Sequence, residues 1–259
     1  MAMDSWLGII IFSVFSVCSW AYKMDTLPNI ENEAFIKECL DIHNKFRSQV
    51  NPKASNMLRM SWDTELAKTA KAWAKKCQFA HNVDLTNPKK LHPTFSSVGE
   101  NIWVGSIGAF SEESAIKMWN DEVKNYNFQT QKCTHVCGHY TQVVWANSYK
   151  VGCAVQFCPK LTGTPISNGA LFVCNYGPAG NYVYMRPYEE GKPCSACKED
   201  TCINQLCANP NRDGDIDKQH VEEAGTRQRS VSLVLILVPL LIILSIILAI
   251  LIKHYYPRL

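Results

Sequence analysis

The sequence has no Asn-x-Ser/Thr sequon, so no N-linked glycan is expected on it. It has no His-Glu-x-x-His pair, which excludes that local zinc-protease motif. It has no Gly-x-Ser-x-Gly elbow, and no serine stands with a His and an Asp in a recognisable triad context. It lacks a strong charge of either sign. The formal net charge of +3 leaves no electrostatic footprint for nucleic acid and no membrane-surface signal. No internal repeat is present, so a repeat architecture is excluded. One long stretch, Leu233 to Ile252, contains no charged residue at all.

What is abundant is cysteine. Twelve cysteines in 259 residues are too many for an ordinary cytosolic enzyme. They stand among Gly, Asn and Pro, as bridged loops made in an oxidising compartment do. Apolar residues make up 47% of the chain, enough for a real core, and the length allows one large domain or two small ones.

The two ends fit that compartment. Leu7 to Val17 is an apolar run followed by Cys18-Ser19-Trp20-Ala21, and polar residues begin at Lys23. It reads as a signal peptide over 1–21, with cleavage expected near Ala21. The uncharged stretch 233–252 holds twenty residues. At about 1.5 Å each they reach roughly 30 Å, a bilayer core. It is apolar all round, so a membrane helix is expected there rather than an amphipathic core helix. Basic residues flank both ends, so they leave the orientation open. The signal peptide sets it: an extracellular N-terminal part and a cytosolic tail over 253–259.

Between the ends, apolar spacing predicts helices over Glu33 to Val50, Asp63 to Cys77 and Ser111 to about Tyr126. His43 and Arg47 lie beside the apolar stripe of the first. Glu122 lies on the apolar face of the third, where an ionised carboxylate needs a partner. Val151 to Phe157 and Ala170 to Asn175 read as strands. Cys194 to Cys207 carries four cysteines in fourteen positions with almost no apolar residues, so a small disulfide knot is expected there. Asn209 to Ser230 is polar and unpatterned and reads as a flexible stalk.

Gly138-His139-Tyr140-Thr141-Gln142-Val143-Val144-Trp145 has an ambiguous period. His139, Thr141, Val143 and Trp145 share a strand face, while His139, Gln142 and Val143 share a helical one. The stretch resembles the first signature of the CAP superfamily of cysteine-rich secretory proteins, antigen 5 and plant pathogenesis-related proteins. Phe172 to Asn181 (Phe-Val-Cys-Asn-Tyr-Gly-Pro-Ala-Gly-Asn) resembles the second signature. His43-Asn44 with Arg47, and Gly99-Glu100-Asn101-Ile102, match two shorter motifs, and all four stand in the family's order.

The resemblance implies an α+β, three-layer α-β-α sandwich with a mostly antiparallel central sheet, and a short helix at Gly138. It implies a CAP domain over 22–190 and a cysteine-rich hinge-like segment over 191–208, which the composition continues with a stalk over 209–232 and the membrane helix. It also implies the disulfides Cys77–Cys158, Cys153–Cys174, Cys133–Cys137, Cys194–Cys202 and Cys197–Cys207. Many animal relatives carry another bridge, whose positions here are Val98 and Gly177. Cys39 is left as a free thiol, expected to fill core.

The resemblance further implies a cleft holding His81, Glu100, Glu122 and His139. Two imidazoles with two carboxylates are able to bind a divalent ion such as Zn²⁺ weakly, or to form a buried hydrogen-bonded network. No catalytic residue is assigned. The function expected is a binding module for a sterol or other small apolar ligand, or for an extracellular protein partner. The apolar ligand is expected at the loop Tyr126 to Cys133, through Tyr126 and Phe128, a loop expected to be flexible. A metal-dependent hydrolase and a ligand-free display protein are the alternatives. The partners expected are the membrane, a lipid and a protein, with no nucleic acid.

Overall fold

The computed structural model describes residues 23–214 apart from residue 86. The expected signal peptide, membrane helix and tail lie outside the described residues, as does the stalk beyond Gly214. Among the described residues no helix is long and apolar enough to cross a membrane.

Helix α1 (Glu33–Ser48) starts at Asn32, whose side chain accepts the Phe35 N–H. Strand β1 (Ser61–Trp62) leads into α2 (Thr64–Ala74), capped by Asp63, which accepts the N–H groups of Glu65 and Leu66. Then follow β2 (Gly99–Ser106) and α3 (Glu112–Asn120), capped by reciprocal bonds between Ser111 and Ser114. A small hairpin pairs β3 (Tyr126–Asn127) with β4 (Lys132–Cys133), and α4 (Gly138–Val143) follows. A long hairpin of β5 (Lys150–Lys160) and β6 (Ser167–Gly177) forms the middle of the sheet. Strands β7 (Thr201–Ile203) and β8 (Leu206–Ala208) and the one-turn α5 (Pro210–Asp213) complete the described chain.

The sheet order is β1-β5-β6-β2, antiparallel except where β1 meets β5. Register assigns the layers, because opposed residues of an antiparallel pair share a face. Gly152 and Cys158 face α2. A Cβ on Gly152 would lie 2.0 Å from the Ala67 nitrogen, so only glycine lets the helix sit this close. The intervening residues Val155 and Phe172 face the other way. There Phe172 packs on Phe35 of α1 and stacks on Trp119 of α3. Helices α1, α3 and α4 thus cover one face and α2 the other, the expected three-layer sandwich.

Five disulfides close inside this unit, in the pairs the resemblance implies. Core and bridges are contained within residues 23–214, so this unit carries what it needs to fold alone. Cys39 is the free cysteine among the described residues; it is fully buried, and burial pushes its thiol well above the usual range. At the Gly177 position the ring of Phe95 takes the space. A Cβ on Gly177 would meet that ring at 2.3 Å.

Four expectations are corrected. The third helix stops at Asn120 and tightens into a 3-10 turn over Asp121–Asn125, because Glu122 turns toward the start of α4. The stretch Tyr126 to Cys133 is a hairpin rather than an open loop, and the Cys133–Cys137 bridge ties its second strand to the start of α4. The cysteine knot adds to the core, since Leu206, Cys207 and Ala208 are buried and Cys207 exchanges backbone hydrogen bonds with Met57 and Arg59. The stalk does not start at 209: Asn209 caps α5, and Arg212 pairs with Asp200 and Asp213.

Candidate functional site

The four cleft residues meet as two His–Glu pairs. His81 follows α2, and its Nδ1 donates to Glu100 Oε1 at 3.0 Å. Glu100 also accepts the Asn82 N–H at 2.9 Å and the Asn175 amide at 3.3 Å. The Glu100 side chain is 0% exposed while that of His81 is 61% exposed, so a buried carboxylate holds a solvent-facing imidazole. The bond to Glu100 raises the His81 pKa against an opposing push from burial.

In the second pair, His139 Nδ1 donates to Glu122 Oε1 at 2.7 Å. Glu122 Oε2 accepts the backbone N–H groups of His139 and Tyr140 at 3.0 and 3.3 Å. One carboxylate therefore caps the first turn of α4 and orients its histidine. The His139 ring also stacks against Trp119. With each Nδ1–H donated to a carboxylate, each neutral ring keeps its Nε2 lone pair available. Among the described residues no group of three His, Cys, Asp or Glu is arranged to hold a metal ion.

Strand β2 links the two pairs. Adjacent residues of a strand point to opposite faces, so Glu100 serves the first pair and Asn101 the second. Asn101 Nδ2 donates to the His139 carbonyl at 3.0 Å and to the Tyr176 hydroxyl at 3.2 Å. Tyr176 in turn donates to His43 Nε2 at 2.9 Å, and His43 Nδ1 donates to the Cys39 carbonyl at 2.7 Å. Burial pulls the His43 pKa down to about 4, so the ring is neutral and this tautomer is the one the partners require.

Arg47 braces α4 from the other end. Its guanidinium donates to the carbonyls of Val143, Trp145, Ala146 and Leu58. It lies fully inside with no carboxylate partner, and burial lowers its pKa to about 9. The carbonyl ends of α4 carry the negative pole that compensates the charge. His43 and Arg47 are thus core residues rather than neighbours of the apolar stripe.

The two aromatics expected to take an apolar ligand are separated. Phe128 is buried, stacked on Tyr188 at 4.7 Å with Arg186 over its ring at 5.1 Å. Tyr126 is half-buried and faces a groove of about 610 Å³. Lys132, Thr141, Trp145, Tyr182 and Tyr184 also line it.

A family model described as the Cysteine-rich secretory protein family, CAP, matches residues 40–176. The chain belongs to the CAP family. Glioma pathogenesis-related protein 1 of Mus musculus is 51% identical to it, over 98% of this chain and 97% of that one. GLIPR1-like protein 1 of Bos taurus is 55% identical over 78% of this chain and 82% of its own. The solved structure of NaASP2 with Zn²⁺ aligns at a TM-score of 0.55 and 31% identity, covering 70% of this chain and 100% of that one. Family and disulfides together indicate a secreted or cell-surface CAP protein.

Several residues of this CAP site escape sequence reasoning. Asn101, Tyr176 and Asn175 lie inside motifs whose His and Glu draw attention first. Strand alternation around Glu100 was the available signal for Asn101. The groove wall from Tyr182 to Met185 follows the second signature and carries no signature of its own.

Proposed function

We propose that this CAP domain is an extracellular binding module that takes a sterol or another small apolar ligand in the groove beside Tyr126. The expected helix over 233–252 tethers it to the membrane. The observation that carries the reading is the groove itself. It is of small-ligand size, and Tyr126, Trp145 and Tyr182 supply aromatic surface to its wall. A binding role is also favoured over hydrolysis. Glu100 and Glu122 each accept three hydrogen bonds from a histidine and neighbouring amides, which engages both carboxylates in holding the site together.

The test is lipid extraction and mass spectrometry of residues 22–214 purified from mammalian cells, followed by uptake of labelled cholesterol in solution. Bound lipid is expected, with uptake reduced in Thr141→Trp, which fills the groove, and retained in His139→Ala. No lipid on the purified domain and none taken up on titration overturns the reading and favours a protein partner.

A second reading rests on the two free Nε2 positions. In this reading His81 and His139 each offer an Nε2 to a divalent ion such as Zn²⁺, with the two glutamates fixing ring orientation and water completing the shell. The buried Asn175 Oδ1, which has no hydrogen-bond partner beside Glu100, adds a polar acceptor to that region. Two protein nitrogens imply weak, reversible binding. Titration calorimetry with zinc checks it: His139→Ala is expected to abolish the heat, and an unchanged isotherm removes the site.

A further inference from the structure

The segment after the second signature is built unlike the rest of the surface. Four consecutive apolar side chains stand out of the domain: Tyr182 at 49%, Val183 at 76%, Tyr184 at 94% and Met185 at 56% exposure. The stem beneath them is fixed. Asn181 accepts from Thr141 Oγ1 at 2.7 Å and donates to the Gly138 carbonyl at 2.8 Å, while the Tyr182 hydroxyl meets Ser97 Oγ at 3.1 Å. The Met185 N–H closes a turn on the Tyr182 carbonyl at 3.2 Å. A rigid stem therefore presents an apolar tip to solvent.

The tip is also strained. Tyr184 has φ +63°, the left-handed region in which glycine or asparagine is cheapest and a bulky aromatic is a true outlier. A tyrosine held there, almost wholly in water, contributes nothing to the core. Such outliers persist where the side chain serves a purpose outside the fold.

The surroundings say what the tip meets. Exposed Lys132 lines the same groove as Tyr184, and exposed Arg186 follows Met185 directly, lying over the Phe128 ring with Glu189 and Glu190 lining the same hollow. Tyrosine is amphipathic and suits the headgroup level of a bilayer, with basic residues beside it for anionic lipid. The chain also leaves the described unit on this side. Asn56, Asn147 and Glu189 line both the hollow that holds Met185 and Arg186 and the hollow that holds Asn209 and Arg212. From Gly214, residues 215–232 precede the apolar run. These eighteen residues are all that separate Gly214 from the expected membrane helix, so the domain stays close to a membrane surface.

We infer that Tyr182 to Met185 is a membrane-docking tip that inserts its apolar side chains at the interface of an anionic bilayer, with Lys132 and Arg186 meeting the headgroups. This stands apart from ligand uptake, because a domain with an empty groove still docks. The tip borders the groove, so docking sets the groove mouth at the lipid surface.

The test is flotation of delipidated residues 22–214 with sterol-free vesicles of phosphatidylcholine, with and without phosphatidylserine. Binding is expected on the phosphatidylserine vesicles, weaker on phosphatidylcholine alone and reduced by salt. Val183→Asp with Tyr184→Asp is expected to weaken it by about tenfold or more. Tyr184→Asn separates the tip from the fold. It relieves the backbone, so thermal stability holds or rises while vesicle binding falls. Hydrogen exchange over 182–185 is expected to slow on vesicles. The inference is overturned by absence of vesicle binding, by binding unchanged in the double variant, or by self-association that the same variants abolish. Ligand uptake is measured without vesicles, so its failure is distinguishable from failure of docking.

Discussion

Glu122 accepts both the ring Nδ1–H and the backbone N–H of His139, at 2.7 and 3.0 Å. The same carboxylate therefore starts helix α4 and aims the one titratable side chain that the helix carries into the site.

Glu122→Gln keeps the shape and removes the charge. The cap and the charge-assisted bond both weaken, and we expect a loss of about 1–2 kcal/mol in denaturant unfolding. Zinc affinity, where measured, is expected to fall by about 10- to 100-fold, because the partner that orients the imidazole is altered. Unchanged unfolding would remove Glu122 from this role.

His81 is expected to titrate above the ordinary histidine range, since the hydrogen bond to Glu100 favours its charged form. A raised folded pKa stabilises the fold in full below the unfolded value. That stabilisation is lost as pH rises through the folded one. An NMR titration of the His81 ring reads the midpoint directly, and Glu100→Gln should move it back down. A midpoint at or below the unfolded value contradicts the assignment.

His43 behaves in the opposite sense. Its pKa lies at about 4, pulled down by burial, while the unfolded chain takes up the proton near the ordinary value. Stability should therefore fall as pH drops from about 6.5 to about 4, by roughly 3 kcal/mol in all. Denaturation midpoints measured across that window should be steep in the natural protein and flatter in His43→Gln.

Arg47→Ala removes the donor that ties together four carbonyls, so that those of Leu58 and Val143 lose it while Trp145 and Ala146 keep a backbone donor, and is expected to cost about 3–5 kcal/mol. Arg47→Lys should recover only a small part, because a point charge does not span the fork that reaches Leu58, Val143, Trp145 and Ala146. Faster amide exchange over Gly138–Val143 in both variants would place the effect at α4.

Much of the fold was legible because it rests on local chemistry. Asp63 and Ser111 cap helices by their position before apolar runs, and both side chains accept the bonds expected of caps. The end of α3 was not legible. Nothing in Asp121 to Tyr126 breaks an α-helix, and the turn forms because the Glu122 carboxylate finds the open N–H groups of α4 across the fold. The cysteine knot misled for a similar reason. Its composition is polar, and only docking against Met57 and Arg59 turns Leu206 and Cys207 into core.

By itself the sequence determined the family, the oxidising compartment, the three main helices, the central hairpin and the four residues of the cleft, since each depends on residue types at short or characteristic spacings. Tertiary structure decided how those residues are used. It paired His81 with Glu100 and His139 with Glu122, buried His43 and Arg47, drew Phe128 into a stack and left Tyr182 to Met185 in water. Those outcomes follow from which groups meet across the sheet. Burial and partnership are properties of surfaces brought together from distant parts of the chain, and no local pattern encodes them.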